Sequence, residues 1–158
     1  MQAKVIDQEA GQRTFVVVLD TDDEVMASLE HFVEREKLHS GQFTAIGALR
    51  SALLGYFDWE QRSYQRITIS EQVEVASFIG DLATSPDGKP SLHIHCVLGC
   101  RDGRAIAGHL LEAHVRPTLE IVWRDSPAHL RKRHDADSGL ALIDLNSAGS
   151  MRQLTSRE

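Results

Sequence analysis

Leu92-His93-Ile94-His95-Cys96-Val97-Leu98, the turn Arg101-Asp102-Gly103-Arg104, and Ala107-Gly108-His109-Leu110-Leu111 follow one another within twenty residues. Read as an extended strand, the first run places alternate side chains on one face, so His93 and His95 point the same way, about 7 Å apart at Cα. Asp-Gly readily supplies the positive φ of a tight reversal, so a second, antiparallel strand is expected after it. With the turn centred near Asp102 and Gly103, residue 109 falls opposite about residue 96, beside 95, and a bulge would shift this by one. The pairing brings three imidazoles within a few ångströms of one another, provided His109 shares the face of the other two.

Three neutral imidazoles suit a divalent ion such as zinc and leave its charge uncompensated, with an open position for water or an anionic oxygen. Such an ion lowers the pKa of bound water or polarises a carbonyl. Glu74, Glu112 and Glu120 are the candidates to orient an imidazole or to act as a base. Glu74 and Glu120 lie in alternating segments, where a carboxylate also fits a plain solvent face. His114 follows Glu112 at strand spacing and reads as an auxiliary ligand or an exposed residue. His31, His39, His129 and His134 sit in helical or polar surroundings and read as surface residues. An isolated H-x-H pair also occurs in strands whose histidines only form hydrogen bonds, and His109 is what tips the reading toward a metal. Cys96 has the opposite parity and reads as a core thiol. It lies about 13 Å from Cys100 along an extended strand, beyond disulfide reach, so both should be reduced.

The 158 residues, 42% of them apolar, match one domain with a proper core, drawn here as residues 1–145 with a flexible tail at 146–158. Seventeen Lys and Arg against twenty-three Asp and Glu give a net charge of -6, which disfavours DNA. The basic cluster Arg131-Lys132-Arg133-His134 reads as solvated surface charge. Residues 1 to 13 are polar and lack the pattern of a secretory signal, and no apolar stretch is long enough to span a bilayer; the expectation is a soluble, cytoplasmic protein. Thr14 to Leu19 suits a buried strand. Thr21-Asp22-Asp23-Glu24 has capping-box spacing, and Val25, Met26, Leu29, Phe32 and Val33 recur at helical intervals, which predicts a helix over about 22–38. Beyond Gly41, period-two runs predict strands at 42–49, 51–58, 63–69, 72–83, 91–99, 104–113, 116–124 and 140–145. Gly47, Gly55, Gly80 and Gly108 interrupt them, as bulges or close backbone approach would require.

Five segments in register then resemble a known family. They are Gly41-Gln42-Phe43-Thr44-Ala45-Ile46-Gly47-Ala48-Leu49, Leu54-Gly55-Tyr56-Phe57-Asp58, Glu74-Val75-Ala76-Ser77-Phe78-Ile79-Gly80-Asp81-Leu82, Asp87-Gly88-Lys89-Pro90-Ser91-Leu92-His93-Ile94-His95 and Gly108-His109-Leu110. Over about residues 13 to 124 they resemble the PPC domain, conserved in plants and prokaryotes. The resemblance implies an α+β fold with a strongly curved, mostly antiparallel sheet, one packed helix and assembly into a homotrimer. It also implies a metal site on His93, His95 and His109. The fold is similar to that of acetolactate decarboxylase, a zinc enzyme, which keeps a lyase or hydrolase reading open with a small anionic ligand at the metal. The alternative implied is a DNA-binding or regulatory module acting as an oligomeric interaction domain. Against it, the Arg-Gly-Arg-Pro hook of the plant proteins is missing, and with it their minor-groove contact. Ala107 replaces the first Gly of the common Gly-Gly-His-Leu, and Asp81 stands where Asn is usual. Pro117 removes a ladder donor, which fits an edge or bulge position at a subunit boundary.

Overall fold

The computed structural model describes residues 1–126 and 129–146; the rest of the tail expected at 146–158 lies outside the described residues. Nine strands and one helix are found among them, in the order β1 (Gln2–Glu9), β2 (Gln12–Asp20), α1 (Val25–Glu36), β3 (Gly41–Asp58), β4 (Ser63–Ile69), β5 (Val73–Thr84), β6 (Pro90–Gly99), β7 (Ala105–Asp125), β8 (Lys132–His134) and β9 (Ala141–Ile143). Seven strands form one antiparallel sheet in the order β1-β2-β7-β6-β5-β3-β4, and β7 pairs a second time with β3. That extra pairing closes β3, β5, β6 and β7 into a ring, which is the strong curvature expected of this α+β fold.

Curvature of this kind needs long strands that bend, and two expected strand pairs prove to be single strands. The segments 42–49 and 51–58 run on as β3, and 104–113 and 116–124 run on as β7. Their joint ladder shifts register between Gly47 and Leu49, between Leu49 and Ser51, and between Leu53 and Leu54, and each irregularity bends the pair while keeping it paired. Pro117, in a cis Arg116–Pro117 peptide, falls within the first shift, so it occupies a bulge in an interior strand, not an edge. Polar residues 1 to 13 carry no strand pattern, yet Gln2–Glu9 pairs with β2 as the sheet's edge. Both of its faces are exposed, so the apolar alternation that announces a strand is absent.

One face of the ring is filled by Phe43, Leu49, Leu54, Phe78, Leu82, Ile94, Cys96, Leu98 and Leu110. Helix α1 closes this core against β7 and β6 with Val25, Leu29, Phe32 and Val33. Phe32 sits between Phe15 (5.3 Å) and Trp123 (5.5 Å), and Trp123 stacks on Phe43 at 4.3 Å. Met26 is only partly buried at its margin. The helix starts three residues later than its capping-box spacing predicts. Glu24 is the N-cap, accepting from the Ala27 N–H through Oε2 (2.6 Å), while its Oε1 accepts from the Ala113 N–H (3.2 Å). Residues 22 and 23 are held instead by backbone bonds to Val115, so docking onto β7 overrides the local cap.

Cys96 and Cys100 are buried and free, as expected, and burial pushes the Cys96 thiol up to about 11. Gly80 is required by packing: a Cβ there would lie 2.2 Å from the Phe43 ring. The basic cluster departs from its reading at one residue. Arg131, Arg133 and His134 are exposed, but Lys132 is buried.

Candidate metal centre

His93 and His95 stand on β6 and His109 on β7, all on the sheet face opposite the core, because the alternating Ile94, Cys96 and Leu98 take the inner side. The Asp-Gly turn is one residue tighter than its centring between Asp102 and Gly103 implies: Gly99 pairs with Ala105, and His95 lies directly opposite His109. Directly paired residues share a face, which is what brings the third imidazole alongside the first two. One nitrogen from each of the three rings lies within 4.8 Å of the others. Ring centroids are separated by 5.0 Å (His93–His95), 5.2 Å (His93–His109) and 5.4 Å (His95–His109).

The three rings differ in environment. His93 and His95 are exposed and His109 is half-buried. Burial, reinforced by the neighbouring His93, His95 and Lys132 charges, holds His109 down to about 4. His95 is also lowered, by burial and then by His93. Both effects favour neutral imidazole, the form that ligates a metal. The Nδ1 of His109 is sealed from solvent and has no hydrogen-bond partner among the described residues. A donor set of three clustered imidazoles, two of them held toward the neutral form, fits a divalent cation of borderline softness such as zinc.

The carboxylate beside the cluster is Asp81, which the sequence reading did not nominate. It pairs with His93 across β5 and β6, and its Oδ2 lies 3.3 Å from His93 Nδ1. A carboxylate on the far nitrogen of an imidazole fixes the tautomer and ring orientation for ligation. Behind it Lys132, carried by the short β8–β9 hairpin, donates to Ser91 Oγ (3.2 Å) and lies 3.9 Å from Asp81 Oδ1; burial lowers the Lys132 pKa. The only advance signal was the departure from Asn at position 81.

The three glutamates lie elsewhere. Glu74 pairs with Gly99, four residues along β6 from His95 or roughly 13 Å. Glu120 lies opposite Ile46 and Val18, eleven residues along β7 from His109, and does not line the cleft beside the histidines. Glu112 Oε1 lies 3.3 Å from His114 Nε2 and accepts from it in the tautomer that carries the proton there, beside a smaller cavity of about 290 Å³ that Ser51 and Arg66 also line. His114 is therefore occupied with Glu112 and stands outside the histidine cluster.

A cleft of about 670 Å³ opens from His93 and His95 across the outer face, with Ile79, Thr44 and Val122 on its floor. Asp81, Gln42 and Arg124 form one cross-strand row along it. Arg124 has no ion pair among the described residues. The cleft thus joins the histidine cluster to a guanidinium across an apolar floor, a surface suited to a small anion.

Comparison with known proteins agrees with this geometry. No curated protein matches the chain. A metal-containing protein from Archaeoglobus fulgidus is 34% identical and superposes with a TM-score of 0.77, over 89% of this chain and 98% of that one. A candidate DNA-binding protein from Bacteroides thetaiotaomicron is 28% identical with a TM-score of 0.80, over 84% and 92%. A Staphylococcus aureus protein of unknown function, similar to α-acetolactate decarboxylase, shares the fold alone at 10% identity and a TM-score of 0.54, over 78% and 53%. The model of the Plants and Prokaryotes Conserved domain matches residues 6–126, which span all three histidines, Asp81 and the whole of the closed ring. The chain belongs to the Plants and Prokaryotes Conserved domain family.

Proposed function

We propose that this protein is a homotrimeric metal protein in which His93, His95 and His109 hold zinc or another divalent cation, open to a small anionic ligand. The observation that carries the reading is the convergence of three ring nitrogens within 4.8 Å at the head of a cleft. The metal-containing relative from Archaeoglobus fulgidus supports it. When bound, the ion acts as a Lewis acid toward water or a ligand oxygen. Asp81 holds the His93 tautomer, and Arg124 pairs with an acidic group at the other end of the cleft. Ile79 and Val122 supply the apolar surface between them. This arrangement suits lyase or hydrolase chemistry on a small carboxylate. Trimer assembly is supported by large apolar side chains exposed on the same outer face: Ile46 at 68%, Ile79 at 61% and Val122 at 50%.

The test is metal content. Purified without a polyhistidine tag after growth with zinc, the protein should carry about one zinc per chain by elemental mass spectrometry, and His95→Ala should carry almost none. A metal-free wild type would remove the ligand assignment. A DNA-binding reading rests on the description of the Bacteroides relative. The net charge of -6 opposes it. A low-salt gel shift at micromolar protein should leave duplex DNA unshifted.

A further inference from the structure

His93 has a carboxylate to hold its ring, whereas His109 has none: its Nδ1 is buried and has no hydrogen-bond partner among the described residues. Metal-bound histidines are normally oriented by a hydrogen bond through the second nitrogen, so something else must fix the third imidazole. Its ring lies between two others, His93 at 5.2 Å and Tyr64 at 4.9 Å, inclined by 31° and 30° respectively. Tyr64 belongs to the edge strand β4, two strands away from His109, and reaches it only because the strand between them has no side chain there. Gly55 of β3 pairs with His109 on one side and with Arg66 on the other. A Cβ at Gly55 would fall 2.7 Å from Tyr64 Cδ1 and 3.2 Å from its Cγ. Phe57, directly across from Tyr64 in the ladder, packs edge-on at 5.3 Å and limits the ring from behind. Gly108 allows the same close approach below, since a Cβ there would meet the Gly55 carbonyl oxygen at 2.9 Å.

We propose that Tyr64 is a positioning residue for the metal centre: laid over Gly55, its ring replaces the missing hydrogen bond and sets the His109 imidazole for ligation. The inference rests on the metal reading above. The role belongs to the ring face and not to the hydroxyl, because the contact is ring to ring. Freed from this contact, His109 gains rotamer freedom that ligation must remove, and affinity falls.

The experiment measures zinc affinity of the full chain by competition with a chromophoric chelator, and the visible spectrum of the cobalt-substituted protein. Tyr64→Leu, which keeps apolar bulk but loses the ring face, should weaken zinc about tenfold and alter the position or intensity of the cobalt bands. Gly55→Ala changes no aromatic or ligating residue but displaces the Tyr64 ring, and should shift both readouts in the same direction. Tyr64→Phe should restore wild-type affinity and spectrum. Wild-type affinity and cobalt bands in both Tyr64→Leu and Gly55→Ala would overturn the proposal while leaving the metal centre standing. A wild type that binds no zinc would sink both.

Discussion

At the residue scale the histidine cluster has unlike surroundings: Asp81 Oδ2 stands 3.3 Å from His93 Nδ1, and enclosure holds His109 toward the neutral form. The second has a consequence for stability. An unfolded histidine takes up its proton near 6.5, while folded His109 does so only near 4. Between those values the unfolded chain binds more protons, so the metal-free fold loses stability as the pH falls from about 6.5 toward 4, and this contribution is fully restored above that range. Urea midpoints of the metal-free protein should decline over this interval, and His109→Gln should flatten the decline. A variant as pH-sensitive as the wild type would show that His109 is not the cause. The histidines were legible because strand parity is local. Asp81 was not, since nothing local distinguishes a carboxylate beside a partner strand's histidine from one facing water.

At the element scale the informative cases are those where packing overrode a local signal. The capping-box spacing at Thr21 was a valid local pattern, but Asp22 and Asp23 spend their backbone groups on Val115, and the helix begins at the next residue able to cap it. Glu24 therefore serves two elements, the first turn of α1 and the β7 backbone at Ala113. Glu24→Ala should destabilise the fold by about 1–2 kcal/mol, the range for a lost N-cap, read as a lower urea midpoint with an unchanged slope. A shift of only a few tenths of a kcal/mol would mean that water replaces both bonds. The strand breaks near residues 50 and 114 were misread for a related reason. An interruption of alternation signals an irregularity, but whether the chain ends a strand there or bulges through it depends on the partner's register.

At the scale of the whole molecule, the second pairing of β7 with β3 turns the sheet into a ring and divides its residues into an apolar interior and an outer face. That face carries the histidines and, beside them, Ile79 and Val122. In solution the protein should sediment at about three times the 17.6 kDa chain mass, and Ile79→Glu should reduce it to a monomer that still folds. A wild-type monomer would refute the trimer, and a trimeric Ile79→Glu would move the interface elsewhere. The described residues contain no helix long and apolar enough to cross a membrane.

Sequence alone determined the helix, the hairpin turn and the two faces of β6, because periodicity and turn chemistry act over a few residues; the fold class came through the resemblance of five segments to a known family. The sequence also nominated three histidines by their spacing across one turn. Tertiary structure decided the rest: the register that sets His109 opposite His95, the Asp81 and Lys132 contacts, the positions of Glu74, Glu112 and Glu120 along the strands, and the passage of Tyr64 over Gly55. Each of these depends on which strand lies beside which, and that is fixed only when the chain closes on itself and buries its core.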